Sequence, residues 1–371
     1  MNPGCQTFLD VLIHPERMAE LPLATWDALL GQARQAGLLS RLAVFAEQQG
    51  LSDALPVCVQ RHFSAATTAA LRQRQAVAWE ARKLDEALAS EDIPGVLLKG
   101  AAYVMADLPP AQGRLFADID ILVPKAALGR AESALLLHGW ASGHHSSYDQ
   151  RYYRKWMHEL PPMQHIRRQS NLDVHHDLLP ETSRLKTRPD RIIADSQPLP
   201  GLAALRVPRL EDLVLHSATH LFHEGEWGHG LRDLVDLDVL LRHGAARPDW
   251  WPSLIHRAQD LNLVMPLGLA LRYGHRLLDT PVPHALFEET GRAADSLGWA
   301  WRDALFLRGF ASFHQDCRMA GNALAEFVLY VRAHALRMPV RLLGPHLLYK
   351  AWQGAFPQDS EEAGKHKALH E

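Results

Sequence analysis

Residues 117–123 read Ala-Asp-Ile-Asp-Ile-Leu-Val, and strict alternation over such a run predicts a strand with one apolar face. Asp118 and Asp120 fall on one side, and Ile119, Ile121 and Val123 on the other. Two aspartates at i and i+2 project together, with oxygens close enough to share divalent cations. Pro124 ends the run.

The chain on either side reads as helix. From about residue 5 to 90, Leu29, Leu30, Ala33 and Ala36, and later Leu71, Ala78, Leu84 and Leu88, recur at intervals of three and four. The texture changes at Ile93-Pro94-Gly95. Val96-Leu97-Leu98 is a short apolar run ending at Lys99-Gly100, and residues 101–108 read as a helix. Residues 109–113 form a loop by their turn residues. Residues 126–138 return to helical spacing, with Gly139 as the C′ residue. Strand-like pieces follow around 151–158 and at 171–177. Beyond Arg209 the segments 210–222, 230–242, 250–261 and 267–278 are amphipathic, with further helices to about residue 352. The organisation expected is an N-terminal helical region over 1–92, an α/β domain over 93–205, a C-terminal helical domain over 206–355 and a flexible tail over 356–371. Two or three units suit 371 residues.

Most isolated Asp-x-Asp pairs are solvated strand or turn residues. This one interrupts an otherwise apolar strand that follows a glycine-marked strand-to-helix turn, which favours metal binding. Nucleotidyl transfer requires such a pair: metal ions bridge the nucleotide phosphates, and one lowers the pKa of the attacking hydroxyl. A third carboxylate usually comes from a neighbouring strand. Asp173, in Asn171-Leu172-Asp173-Val174-His175, is the best-placed candidate, with Asp177 next.

Leu97-Leu98-Lys99-Gly100-Ala101, Arg114, the run from Asp118 to Val123, Gly139-Trp140 and Leu172-Asp173-Val174-His175 together resemble the bacterial uncharacterised nucleotidyltransferase family. So does the helical stretch His216…His220…Leu231-Arg232-Asp233-Leu234-Val235-Asp236. That family belongs to the DNA polymerase β-like superfamily, and the similarity spans roughly residues 25 to 280. The resemblance implies an α+β fold, a small mixed-sheet polymerase β-like core flanked by helical regions. It implies Asp118 and Asp120 as ligands of Mg²⁺ (or Mn²⁺), Asp173 as the third carboxylate, and a nucleoside triphosphate, ATP first, as substrate. One departure stands out. Where the superfamily usually has Gly-Ser, this chain has Lys99-Gly100. Gly100 permits close backbone approach, and Lys99 supplies a point charge to the triphosphate.

Arg114 reads either as a surface arginine or as a bidentate phosphate clamp. The chain holds 22 histidines. His216, His220 and His223 fall on one helical face and His229 follows, without an HExxH zinc motif. Structural histidines are the commoner meaning; alternatively His220, Arg232 and Asp236 line the acceptor side of a cleft. His175 and His176 stand beside Asp173, where they could orient a carboxylate, and His175 is a further candidate for the acceptor side. Arg151, Arg154, Lys155, Arg167, Arg168, Arg184, Lys186 and Arg188 form a basic segment. It is either a solvated loop face or a seat for an anionic acceptor such as an RNA end or a phosphorylated metabolite.

A net charge of -3 argues against a dedicated nucleic-acid binder and leaves no strong DNA-binding signal. No leader and no uncharged apolar run of about 18 residues is seen, so a soluble protein without a membrane span is expected. Three scattered cysteines, Cys5, Cys58 and Cys317, fit a reducing cytoplasm. GxSxG, Walker A and GxGxxG motifs are absent. Two functions remain. One is a metal-dependent transferase moving an NMP group from an NTP to a hydroxyl of an unknown acceptor (small molecule, peptide or RNA end), releasing pyrophosphate. The other is a non-catalytic nucleotidyltransferase-fold module, a toxin–antitoxin or biosynthetic-cluster component. Retention of all three aspartates favours the enzyme. Mutual repulsion of Asp118 and Asp120 leads to the expectation that Asp120→Asn leaves the fold intact or stabilises it.

Overall fold

The computed structural model describes residues 3–143, 157–225, 227–290 and 297–338. Four helices come first: α1 (Pro3–Ile13), α2 (Leu23–Gln35), α3 (Leu39–Gln48) and α4 (Val57–Ala89). Strand β1 (Gly95–Leu98), helix α5 (Lys99–Met105), strand β2 (Asp118–Leu122) and helix α6 (Leu128–Leu137) follow. Next come β3 (Trp140–Ser142), β4 (Met163–His165) and β5 (Asn171–His175), then α7 (Pro189–Asp195), β6 (Gln197–Pro198) and β7 (Leu205–Val207). The rest is helical: α8 (Leu210–Glu224), α9 (Gly230–Ala245), α10 (Trp250–Asp260), α11 (Val264–Leu278), α12 (His284–Glu289), α13 (Leu297–Phe310) and α14 (Asn322–Arg337).

The strands form one mixed sheet in the order β3-β4-β5-β2-β1-β7-β6, parallel at β2–β5 and β1–β7. Its register follows the alternation of β2. Ile119 pairs with Leu172 and Ile121 with Val174, and all four are buried on one face. The other face sets Asp118 opposite Asn171 and Asp120 opposite Asp173. Strand β7 pairs with β1 across the expected 205/206 boundary, so the sheet reaches into the stretch expected to be purely helical. Helix α6 ends where expected, with Gly139 following at φ +90°.

The 33-residue α4 straps the sheet. Its Asp85 accepts the backbone N–H groups of Ala203, Ala204 and Leu205 at 2.8–3.0 Å. Earlier in the helix, Glu80 takes Arg168 in two hydrogen bonds of 2.7 and 2.9 Å and also accepts from Ser170. One helix thereby pins both β7 and the β4–β5 turn. The Tyr103 and Ser217 hydroxyls, 2.6 Å apart, tie α5 to α8. Cys5 and Cys317, remote in sequence, meet in the core. The helices expected between 338 and 352, the expected tail over 356–371, and Arg151, Arg154 and Lys155 lie outside the described residues.

One buried group in α8 makes the fold sensitive to acid. His223 is fully buried, with Nδ1 3.1 Å from the carbonyl oxygen of Thr219. Burial, with Arg332 adding to it, lowers its pKa from 6.5 to about 4. The folded state therefore binds fewer protons than the unfolded one between those values, and stability falls as pH drops through that window. The loss should reach about 3 kcal/mol below pH 4. Urea titrations at neutral and acid pH should show His223→Gln with a flatter pH dependence. An unchanged slope in the variant would remove His223 as the cause.

Candidate active site

Strands β2 and β5 bring Asp118, Asp120 and Asp173 to one face, with Asp120 and Asp173 directly paired. Strand β1 runs antiparallel to β2 and sets Leu98 opposite Asp120. The next residue, Lys99, adopts φ +43°, a left-handed conformation costing a non-glycine residue about 1–2 kcal/mol. From this turn Nζ of Lys99 donates to Oδ1 of Asp120 at 3.0 Å. Nε2 of His175 lies 3.1 Å from the same oxygen. Gly100, by contrast, is needed for space, since a Cβ there would lie 2.5 Å from Cδ1 of Phe116.

The three carboxylates are not electrostatically alike. Asp120 is 3% exposed, and burial alone would raise its pKa; Lys99 and His175 outweigh burial and hold it well below the usual carboxylate range. Burial first, and then the charge of Asp120, raises Asp118. Asp173 is raised by burial, Asp120 and Glu159 together, to about 7. His175 is raised too: burial opposes its charge, but Asp120 and Glu159 prevail. The expected repulsion between Asp118 and Asp120 therefore falls on Asp118 and Asp173, because Lys99 and His175 compensate Asp120.

A cavity of about 420 Å³ lies over this face. Lys99, Gly100, Arg114, Asp118, Asp120, His220 and Arg232 all line it, although His220 on α8 and Arg232 on α9 lie far beyond β2 in sequence. Asp173 and His175 are not among the lining residues; they meet the site through Asp120, one by strand pairing and the other by hydrogen bonding. His216 is buried, and burial with the nearby Lys99 pushes its pKa well down, so it stays neutral. Asp177 turns to Thr187 and to the Leu178 N–H, and is not drawn into the carboxylate group. The backbone N–H of His176 donates to the carbonyl oxygen of His158, continuing the strand pairing beyond His175.

Arg114 is no surface arginine. Its guanidinium lies 5.7 Å from the Tyr103 ring and 5.9 Å from that of Phe116, and it pairs with Asp236 and, at 3.7 Å, with Asp233. Asp236 also accepts from Nη2 of Arg41 at 3.2 Å. Arg41, on α3, donates in addition to the carbonyl oxygens of Pro109 and Pro110. The loop between them closes on α3 at Gly113, whose φ is +71° and where a Cβ would meet the Ser40 oxygen at 2.6 Å. Arg232 donates to Asp233 at 2.9 and 3.0 Å. Sequence reasoning missed Arg41. Its signal was a lone charge between Leu38 and Leu42 at helical spacing on an apolar face.

The donor chemistry suits a hard divalent cation. Oxygen ligands gather on one face, and the raised pKa values of Asp118 and Asp173 record negative charge that such a cation would relieve. Asp118 and Asp120 present carboxylates that would suit such a cation, with Asp173 beside them.

A family model described as an uncharacterised nucleotidyltransferase matches residues 22–279. No curated protein and no solved structure matches the chain. Among the described residues, no helix is long and apolar enough to cross a membrane.

Proposed function

The chain belongs to the uncharacterised nucleotidyltransferase family, and from that membership we propose a Mg²⁺-dependent (or Mn²⁺-dependent) transferase that uses a nucleoside triphosphate, ATP first. It moves the NMP group to a hydroxyl of a small molecule, a peptide or an RNA end. The observation that carries this reading is the single cavity lined by both Asp118 and Asp120 and by Lys99, Arg114 and Arg232. Anionic phosphates need the cationic groups, and a divalent cation needs the carboxylates.

When bound at Asp118 and Asp120, the cation supplies phosphate neutralisation and acidifies the attacking hydroxyl. Lys99 and Arg114 hold the phosphates in line, and Gly100 lets the Phe116 ring pack close beside them. His220 and Arg232 line the acceptor side. Asp173, beside the cavity through its pairing with Asp120 and with a pKa of about 7, would take the proton of the acceptor hydroxyl through one bridging water as that oxygen attacks the α-phosphorus. The bond from the α-phosphorus to the bridging oxygen breaks, and its electron pair departs with pyrophosphate.

Calorimetry and thermal shift with each common triphosphate, with and without Mg²⁺, test the reading. A triphosphate at 100 times its Kd should stabilise the chain by about 2.7 kcal/mol, and only when Mg²⁺ is present. Labelled triphosphates incubated with a lysate and a small-molecule extract should reveal the acceptor. Absence of any Mg²⁺-dependent response would favour the non-catalytic binding module instead.

A further inference from the structure

Asp120 touches a second group of donors that the proposed transfer does not use. Among the described residues, His158, Glu159 and His175 form a group whose metal-ligating atoms all lie within 4.8 Å of one another. Both histidines are buried and Glu159 is half-buried. We propose that these three residues bind a zinc-type divalent transition metal, at a site separate from the Asp118–Asp120 pair and joined to it by the His175 ring.

The backbone sets the three side chains in place. Glu159 and His175 face each other across an antiparallel bridge. Leu160 N–H donates to Val174 at 2.9 Å, and His176 N–H donates to His158 at 2.8 Å. The ligands thus come from β5 and from a short segment bridged to it by backbone hydrogen bonds, which holds their positions before any metal arrives. Nδ1 of His175 and Oε2 of Glu159 are 3.3 Å apart. That matches the edge of a tetrahedron built on metal bonds of about 2.0–2.1 Å, the length zinc makes to nitrogen and carboxylate oxygen. The His158 ring stands 5.3 Å from the His175 ring at 33°, and its ligating nitrogen lies within 4.8 Å of the other two ligand atoms. Two imidazoles and one carboxylate favour zinc-type ions over Mg²⁺, which prefers an all-oxygen shell.

The other His175 nitrogen strengthens the assignment. Nε2 faces Oδ1 of Asp120 at 3.1 Å. Metal-bound histidines commonly donate their second N–H to a carboxylate, which fixes the tautomer and turns Nδ1 toward the metal. A metal here would clamp the His175 ring and, through it, the Asp120 carboxylate. Its role is to position Asp120.

The same distances would arise if a proton on His175 bridged Glu159 and Asp120 with no metal present, and the experiment separates the two. Full-length protein is stripped with a chelator and titrated with Zn²⁺ by calorimetry in the absence of nucleotide. One equivalent should bind. Glu159→Gln and His158→Gln should each weaken binding by more than the roughly 10–100-fold that losing an outer hydrogen-bond partner costs. Asp118→Asn should retain it, which distinguishes this site from the one proposed for Mg²⁺. Co²⁺ added to the wild-type chain should give the strong visible absorption of tetrahedral coordination, a readout that stands even if a variant fails to fold. No stoichiometric Zn²⁺, a weak octahedral Co²⁺ spectrum, or wild-type affinity in the two ligand variants would overturn the proposal.

Discussion

Asp120→Asn should lose Mg²⁺-dependent triphosphate binding by at least about tenfold, or roughly 1.4 kcal/mol, and transferase activity with it. It should also destabilise the free chain. The buried carboxylate receives Lys99 at 3.0 Å and His175 at 3.1 Å on one oxygen, so an amide leaves both donors facing a neutral group. Breaking a buried pair costs about 3–5 kcal/mol, and the low end applies because Lys99 keeps 16% of its side chain exposed. The pH dependence has a definite sign. The folded pKa of Asp120 is depressed, so its stabilisation is present above the unfolded carboxylate range and lost as pH falls below it. Asp173→Asn should do the opposite. Its pKa is raised to about 7, so the ionised group opposes folding as pH rises from its unfolded value toward 7, and the amide relieves that cost. Urea unfolding of both variants without Mg²⁺, beside calorimetry with it, measures each effect. An Asp120→Asn protein as stable as wild type and still binding triphosphate with Mg²⁺ would contradict both halves.

The second large effect belongs to Asp236. It lies between two guanidiniums, Arg41 from α3 and Arg114 from the loop before β2, whose side chains are only 3% and 11% exposed. Burial, and then Arg114, pulls the Arg41 pKa down to about 9; burial followed by Arg232 lowers that of Arg114. Both cations therefore already stand under strain from desolvation and mutual repulsion. Asp236→Asn keeps the shape but removes the charge between them, and should cost about 3–5 kcal/mol. Adding Arg41→Met should recover part of this loss, because one uncompensated charge then disappears. A double-mutant cycle in urea should give a coupling of about 0.5–3 kcal/mol. Additive losses, or a single variant within about 0.5 kcal/mol of wild type, would show that the triad is not a unit.

Legibility in the sequence followed the range of the interactions. Alternation in residues 117–123 identified β2 and its faces, since a period of two reports local geometry. Apolar spacing placed α8 to α11 to within three residues at either end. His220 and Arg232, read as the acceptor-side alternative to structural residues, line one cavity with Asp118. Strands β3, β4, β6 and β7 have only two or three residues each, too few to show any period. The partners of Lys99 and Arg114 were also out of reach. Lys99 meets Asp120 through the antiparallel register of β1 and β2, and Arg114 meets Asp236 only after the sheet and α9 have packed. Alternation could say that Asp120 opposes the apolar face. It could not say that Lys99 and His175 cover it.

The Arg41–Asp236 contact also has a consequence in time. Its partners are 195 positions apart. At roughly 5–20 residues per second, a ribosome needs about 10–40 s to pass from one to the other. Throughout that interval the N-terminal helices carry an arginine at a surface destined for burial, with its carboxylate not yet synthesised. That part of the cleft therefore closes late, when α9 has emerged, and a chain truncated before that helix should leave the Arg41 guanidinium without its carboxylate.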